Sequence, residues 1–236
     1  MSPPNRSAAR AFLDPLVRAG RVQWSGDAAR PAFHAERSVP EWGWDGLRGR
    51  VVELVGVAGP SAVLTVAARL VLEAQGAGEP VAWLGRRGAQ VYPPDVAAMG
   101  VDLSELVFVH ADEVVELLRA AGVLVRSGAF GLVVIDPIRV GGRRERAAGA
   151  VSLGVQARLV GLAKRHDTAI LWLSREQTAH GARDGGLGPF ASLRAECRRR
   201  RLDDGVFECS VEVIKDKRRG ERWQASFECD GAVGLR

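Results

Sequence analysis

From Val51 onward the chain alternates short runs of β-branched residues with amphipathic stretches, and this alternation constrains the fold more than any other feature. Apolar runs too short to span a core as helices, each followed by apolar residues at three- and four-residue spacing, are the pattern of buried parallel strands joined by crossover helices. The predicted strands are VVELVG (51–56), PVAWLG (80–85), ELVFVH (105–110), FGLVVID (130–136) and TAILWLS (168–174). The predicted helices run from Ser61 to Gln75, from Asp112 to Arg126 with Asp112 as its N-cap, and from Ala150 to His166. After Ser174 a glycine-rich polar segment leads into FASLRAEC, VFECSVEVIK and RWQASFEC, which alternate like antiparallel strands. The expected fold is α/β: a mostly parallel twisted sheet flanked by helices, ending in an antiparallel C-terminal meander.

Residues 1–45 read as an appendage to a core domain over 46–236. Ala8 to Ala19 form a short predicted helix with Phe12, Leu13, Leu16 and Val17 on one side, and Trp24, Trp42 and Trp44 follow. Tryptophans this concentrated need burial, and the main core is the expected place. With 236 residues, 47% of them hydrophobic, the chain has material for one large core. It contains no run of about 18 uncharged apolar residues and no apolar stretch suited to a secretory signal, so a soluble, cytoplasmic protein is expected.

Cys197, Cys209 and Cys229 are far apart in sequence, as are His34, His110, His166 and His180, and none has a second ligand at metal-binding spacing. Buried reduced thiols and no metal are the expectation. The net charge is +5, and residues 139–236 hold 20 of the 33 basic side chains. That asymmetry suits an acidic partner, whether nucleic acid or protein.

The turn after the first strand reads Gly56-Val57-Ala58-Gly59-Pro60-Ser61-Ala62-Val63-Leu64-Thr65 and opens a helix, the usual setting of a phosphate-cradling loop. Such a loop needs consecutive backbone N–H groups, a lysine on the β- and γ-phosphates and a hydroxyl on magnesium. Here Ala62 and Val63 occupy the lysine and hydroxyl positions, and Pro60 removes one N–H. Thr65 lies one helix step too far to replace the hydroxyl. Asp136 ends LVVID where the magnesium-holding acid would stand; without a lysine opposite, it reads as the acid of a strand end. The loop, with Gly56, Gly59, Pro60, Ser61, Ala62, Val63 and Asp136, is expected to be vestigial, with no cofactor bound.

In motif order the chain resembles the bacterial RecA recombinase core from about Leu47 onward. GRVVELVG (49–56) resembles the strand entering the ATP loop, AAMGVDLSELVF (97–108) the segment after the catalytic glutamate, and SGAFGLVVID (127–136) the magnesium-binding strand. GGLGPFASLR (185–194) is similar to the end of the second DNA-binding loop with its following strand, and VEVIKDKRRG (211–220) to the strand whose paired lysines reach a neighbouring subunit's ATP. By this resemblance the loop lysine and threonine fall on Ala62 and Val63. The catalytic glutamate falls within Gly85-Arg86-Arg87-Gly88, where there is no acid, and the γ-phosphate-sensing glutamine near Arg175, two residues from Gln177. Three parts of the ATPase are missing, a pattern similar to the inactive ImuA group of mutasome proteins. That likeness, which extends to the lack of a separate C-terminal domain, implies a non-catalytic accessory of SOS mutagenesis and translesion DNA repair. Its implied partners are RecA and a Y-family-type polymerase homologue.

The resemblance also assigns surfaces. Arg139, Arg143, Arg144 and Arg146 occupy the position of the first DNA-binding loop, and Arg175 and Arg183 belong to the second, which has no aromatic residue for base stacking. Lys215 and Lys217 are the candidates for a RecA interface, although strand alternation alone also turns both outward. Arg198 to Arg201 read as a solvated edge or turn just after a strand. The competing readings are a divergent ATPase using Arg86 or Arg87, a DNA-binding accessory acting alone, and the cell-division inhibition attached to some ImuA-like proteins.

Overall fold

A computed structural model of the protein describes residues 42–57, 61–88, 91–138, 152–176, 183–184, 187–203, 205–218 and 223–231. Its elements in chain order are α1 (Trp44–Leu47), β1 (Val51–Gly56), α2 (Val63–Gly76), β2 (Val81–Arg86), α3 (Pro93–Ala98), β3 (Leu106–Ala111) and α4 (Val114–Arg126). They continue with β4 (Leu132–Asp136), α5 (Leu153–His166), β5 (Ala169–Glu176), β6 (Arg183–Asp184), β7 (Leu193–Asp203), β8 (Val206–Asp216) and β9 (Trp223–Asp230). From Val51 on, the expected strands and helices form within three residues of their predicted ends except at the end of β7, and the α/β class stands.

The strands join in one sheet of order β3-β2-β4-β5-β1-β7-β8-β9, with β6 paired to β5. Neighbouring strands from β3 through β7 run parallel, whereas β8 and β9 run antiparallel. β1 is central, with β5 and β7 on its two sides. Its six residues are all buried, as expected of a strand covered on both faces.

Alternate residues of each strand feed two cores. Leu54, Trp83 and Leu171 pack with Trp42, Trp44 and the inner face of α2 on one side of the sheet. Val51, Leu84, Ile135 and Trp172 pack with α4 and α5 on the other. Trp42 and Trp44 therefore bury in the main core, as their size requires; Trp24 lies outside the described residues, as does the predicted helix from Ala8 to Ala19.

The sheet interior also holds charge. Arg50 forms a buried ion pair with Asp216, and its guanidinium donates to the hydroxyl and carbonyl oxygens of Ser192. Glu53, in the middle of β1, accepts from the Ser174 hydroxyl at 3.0 Å and faces Arg194 at 3.6 Å. Both sets link β1 to the start of β7 or the end of β8, where the sheet changes from parallel to antiparallel.

Three expectations need correction. The N-cap of α4 is Glu113, not Asp112: Glu113 and Glu116 form a reciprocal capping box, a stronger arrangement than one aspartate. Arg198 to Arg201 do not follow a strand but lie inside β7, which continues to Asp203 paired with β8. The helix α3 was not foreseen, because Pro93-Pro94 at its start and only one buried residue, Val96, leave no apolar period.

Among the described residues, no helix is long and apolar enough to cross a membrane, and no three His, Cys, Asp or Glu side chains gather as a metal site.

Candidate functional site

The C-terminal ends of β4 and β5 and the start of α2 open onto a cleft of about 220 Å³. In open α/β sheets this end of the strands is where ligands bind. Ser61, Val63, Leu64 and Thr65 supply one wall, Tyr92, Asp95 and Met99 another, and Asp136, Arg175 and Arg199 approach from the sheet. The start of α2 and Asp136 thus meet at one place.

Local packing explains the shape of the turn. Ala62, at the N-cap of α2, is wholly buried and offers no capping side chain; the Ser61 hydroxyl instead accepts the Val63 N–H at 3.3 Å. Val63 is also buried, part of the α2 core face. Ser61 forms an antiparallel bridge with Arg198, so β7 reaches past the end of β1 and pairs with the turn. A side chain on Gly56 would place its Cβ 2.6 Å from the Ser61 hydroxyl oxygen, so a larger residue there would displace that hydroxyl. Gly59 and Pro60 lie outside the described residues. Thr65, one helix step on, is on the cleft wall beside Ser61.

Asp136 is almost completely buried. One carboxylate oxygen accepts the Ile138 N–H at 3.1 Å, and the other has no partner among the described residues. Burial pushes its carboxyl up to about 6, against the opposing pull of the Ile138 N–H and the Arg175 charge. A carboxyl raised in the folded state favours folding when protonated. The stability it supports is complete below its unfolded value near 3.8 and is lost as pH rises through about 6. Asp136→Asn, which keeps the bond from Ile138, is therefore expected to match the parent near pH 4 and to exceed it by up to about 3 kcal/mol at pH 7. Urea unfolding at both pH values checks this; equal stabilities at pH 7 would contradict it.

The remaining sequence candidates separate. Arg175 is exposed at the end of β5 and faces the cleft. Arg86 and Arg87, the substitute phosphate ligands of the divergent-ATPase reading, are absent from the cleft lining: Arg86 donates to the Asp112 carbonyl at 2.9 Å, and Arg87 pairs with the Asp112 carboxylate at 3.3 Å. Gly88 has positive φ, a turn conformation that favours glycine. Arg183 pairs through its backbone with Glu176, and Arg139, Arg143, Arg144, Arg146 and Gln177 lie outside the described residues.

Lys215 and Lys217 do not simply project into solvent. Lys215 donates to the Gly188 carbonyl at 3.0 Å and Lys217 to the Pro189 carbonyl at 2.6 Å, so both hold the short 3-10 turn Gly188–Phe190 ahead of β7. Partial burial, with the charge of Lys217 second, lowers the Lys215 pKa. Sequence reasoning missed Tyr92, Asp95 and Arg199 as cleft residues. Arg199 was hidden within a run of four arginines, and Tyr92 and Asp95 belong to the unforeseen α3 segment.

Residues 42–201 match the family described as RecA N-terminal domain. The protein RecA of Frankia alni is 34% identical over 246 aligned positions, covering 89% of this chain and 69% of that protein. The RecA of Kineococcus radiotolerans is 31% identical, covering 97% of this chain and 74% of that protein. For the RecA of Fusobacterium nucleatum the figures are 30% identity, 77% of this chain and 54% of that protein, so the chain spans only about half the length of some relatives that it matches. The fold is similar to that of the crystal structure of the RadB recombinase, with a TM-score of 0.57 at 18% identity, covering 77% of this chain and 87% of that one.

Proposed function

This chain belongs to the RecA family, and we propose that within it the protein is a non-catalytic accessory of DNA repair and recombination, a RecA-shaped adaptor and not an ATPase. The observation that carries this reading is the side-chain set of the cleft. Where phosphoryl transfer needs a lysine, a magnesium-binding hydroxyl and an acid to position water, the start of α2 has Ala62, wholly buried, and Val63, an apolar side chain on the cleft wall. No glutamate stands in Gly85-Arg86-Arg87-Gly88, and both arginines there engage Asp112. Asp136 remains, buried, with one carboxylate oxygen already held by the Ile138 N–H.

The finer reading follows the likeness to the ImuA group: a role in SOS mutagenesis and translesion synthesis, with RecA and a Y-family-type polymerase homologue as partners. A retained RecA shape with the phosphate chemistry removed is what an adaptor on a RecA filament requires. Direct contact with DNA through the arginine-rich segment 139–146 is a secondary reading, favoured by the basic C-terminal half.

The test is a titration with a fluorescent ATP analogue and magnesium, with and without RecA. The isolated protein is expected to show no saturable binding up to about 1 mM, and to associate with RecA all the same. Micromolar, magnesium-dependent binding to the isolated protein would overturn the reading and direct attention to Ser61, Thr65 and Asp136.

A further inference from the structure

Cys209 and Cys229 stand apart in sequence but meet across the β8–β9 ribbon. Cys209 pairs with Phe227 and Cys229 with Phe207, so the two cysteines are diagonal neighbours, and their sulfurs lie 3.2 Å apart. Diagonal partners on adjacent antiparallel strands come within reach of a covalent bridge when the ribbon twists them together. Cys209 is buried, whereas Cys229 is only partly covered. Cys229 is thus the more accessible member of the pair.

Two guanidinium groups flank the pair, with Asp230 as an opposing charge. The Arg69 guanidinium stacks over Phe227 at 4.3 Å and that of Arg199 over Phe207 at 4.7 Å, which places one on each of the two aromatic residues that alternate with the cysteines. Arg199 is also the residue directly opposite Cys209 on β7. Cys197, the third cysteine, is fully buried, and that burial drives its thiol far above the ordinary range, so it stays inert.

We propose that Cys209 and Cys229 form a redox-active dithiol that closes into an intramolecular disulfide between β8 and β9, with a low-molecular-weight disulfide such as oxidised glutathione as its oxidant. The hydrogen bond from Cys209, assisted by Arg199 and opposed by burial, lowers the Cys229 thiol, which makes Cys229 the attacking group. Its thiolate attacks one sulfur of oxidised glutathione, forming a mixed disulfide and releasing one glutathione thiolate. Cys209, whose pKa is raised first by its bond to Cys229 and then by burial, becomes easier to deprotonate once Cys229 no longer carries charge. It passes its proton to the released thiolate and attacks the Cys229 sulfur, expelling the second glutathione as thiolate. Two protein thiols are oxidised and one glutathione disulfide is reduced to two glutathiones. Arg199 also lines the cleft, so the disulfide closes beside a cleft guanidinium.

The experiment treats the full chain with oxidised glutathione, blocks remaining thiols by alkylation, digests with trypsin without reduction and maps the peptides. Cleavage at Arg201, Lys215 and Arg222 puts Cys209 in LDDGVFECSVEVIK and Cys229 in a separate peptide beginning WQASFEC. The expected result is a cross-link between these two peptides, abolished by dithiothreitol, with Cys197 recovered alkylated. C209A is expected to stop the reaction at a glutathione adduct on Cys229; the unaltered chain alone decides the matter if that variant does not fold. Recovery of Cys209 and Cys229 as alkylated free thiols, a persistent adduct on Cys229 of the unaltered chain, or a bridge to Cys197 would each overturn the proposal.

Discussion

Asp216→Ala is expected to lower the free energy of unfolding by about 3–5 kcal/mol, because it leaves the buried Arg50 guanidinium without its counter-charge. The two side chains are nearly inaccessible, and Arg50 links β1, the residue before β7 and the end of β8 in one contact set. The loss appears as a lower urea midpoint at unchanged slope. Replacing both partners, Arg50→Met with Asp216→Leu, is expected to recover most of it, since removing a buried pair together leaves no uncompensated charge. A single variant within about 0.5 kcal/mol of the parent would mean that water reaches Arg50.

Trp83→Ala is expected to cost a similar amount, about 3–5 kcal/mol, through a different mechanism. Trp83 is fully buried in β2, between β3 and β4, and packs in the same core as Trp42 and Trp44. Truncation opens a cavity that the surrounding strands are too well pinned to fill. Trp83→Phe is expected to cost less than half as much. It retains most of the apolar bulk and also removes an indole N–H that has no acceptor among the described residues. Thermal or urea unfolding of the two variants ranks them; equal losses would show that shape, not volume, governs the site.

The sequence made the layered sheet legible because its central strands are buried on both faces and contain almost nothing but apolar residues. VVELVG, FGLVVID and TAILWLS leave little choice of secondary structure. Elements that depend on neighbours for their identity were harder to see. Arg198 to Arg201 are strand residues only because β8 supplies their ladder, and no local pattern in four arginines says so. The six residues of α3 have too little apolar surface to leave a period.

The candidate site divided along the same line. That Ala62 and Val63 open α2 directly after Ser61 was visible in the order of residues, and the position of Asp136 followed from the strand that it closes. The entry of Arg199 into the cleft, the meeting of Cys209 with Cys229 and the grip of Lys215 and Lys217 on Gly188 and Pro189 depend on strand register. Register is set by pairing across a sheet and cannot be read from one strand alone.

The central position of β1 has a consequence for how the chain is made. Val51 pairs with Ile170 and Val52 with Leu193, so the first of the described strands to leave the ribosome is among the last to gain its neighbours. At ordinary rates of translation the VVELVG segment waits on the order of ten seconds for β7 to emerge. Meanwhile β2, β3 and β4 can assemble among themselves with α4 between them in sequence. The nascent protein therefore carries an unpaired apolar strand until β5 and β7 follow it, the kind of exposed segment that holding chaperones recognise.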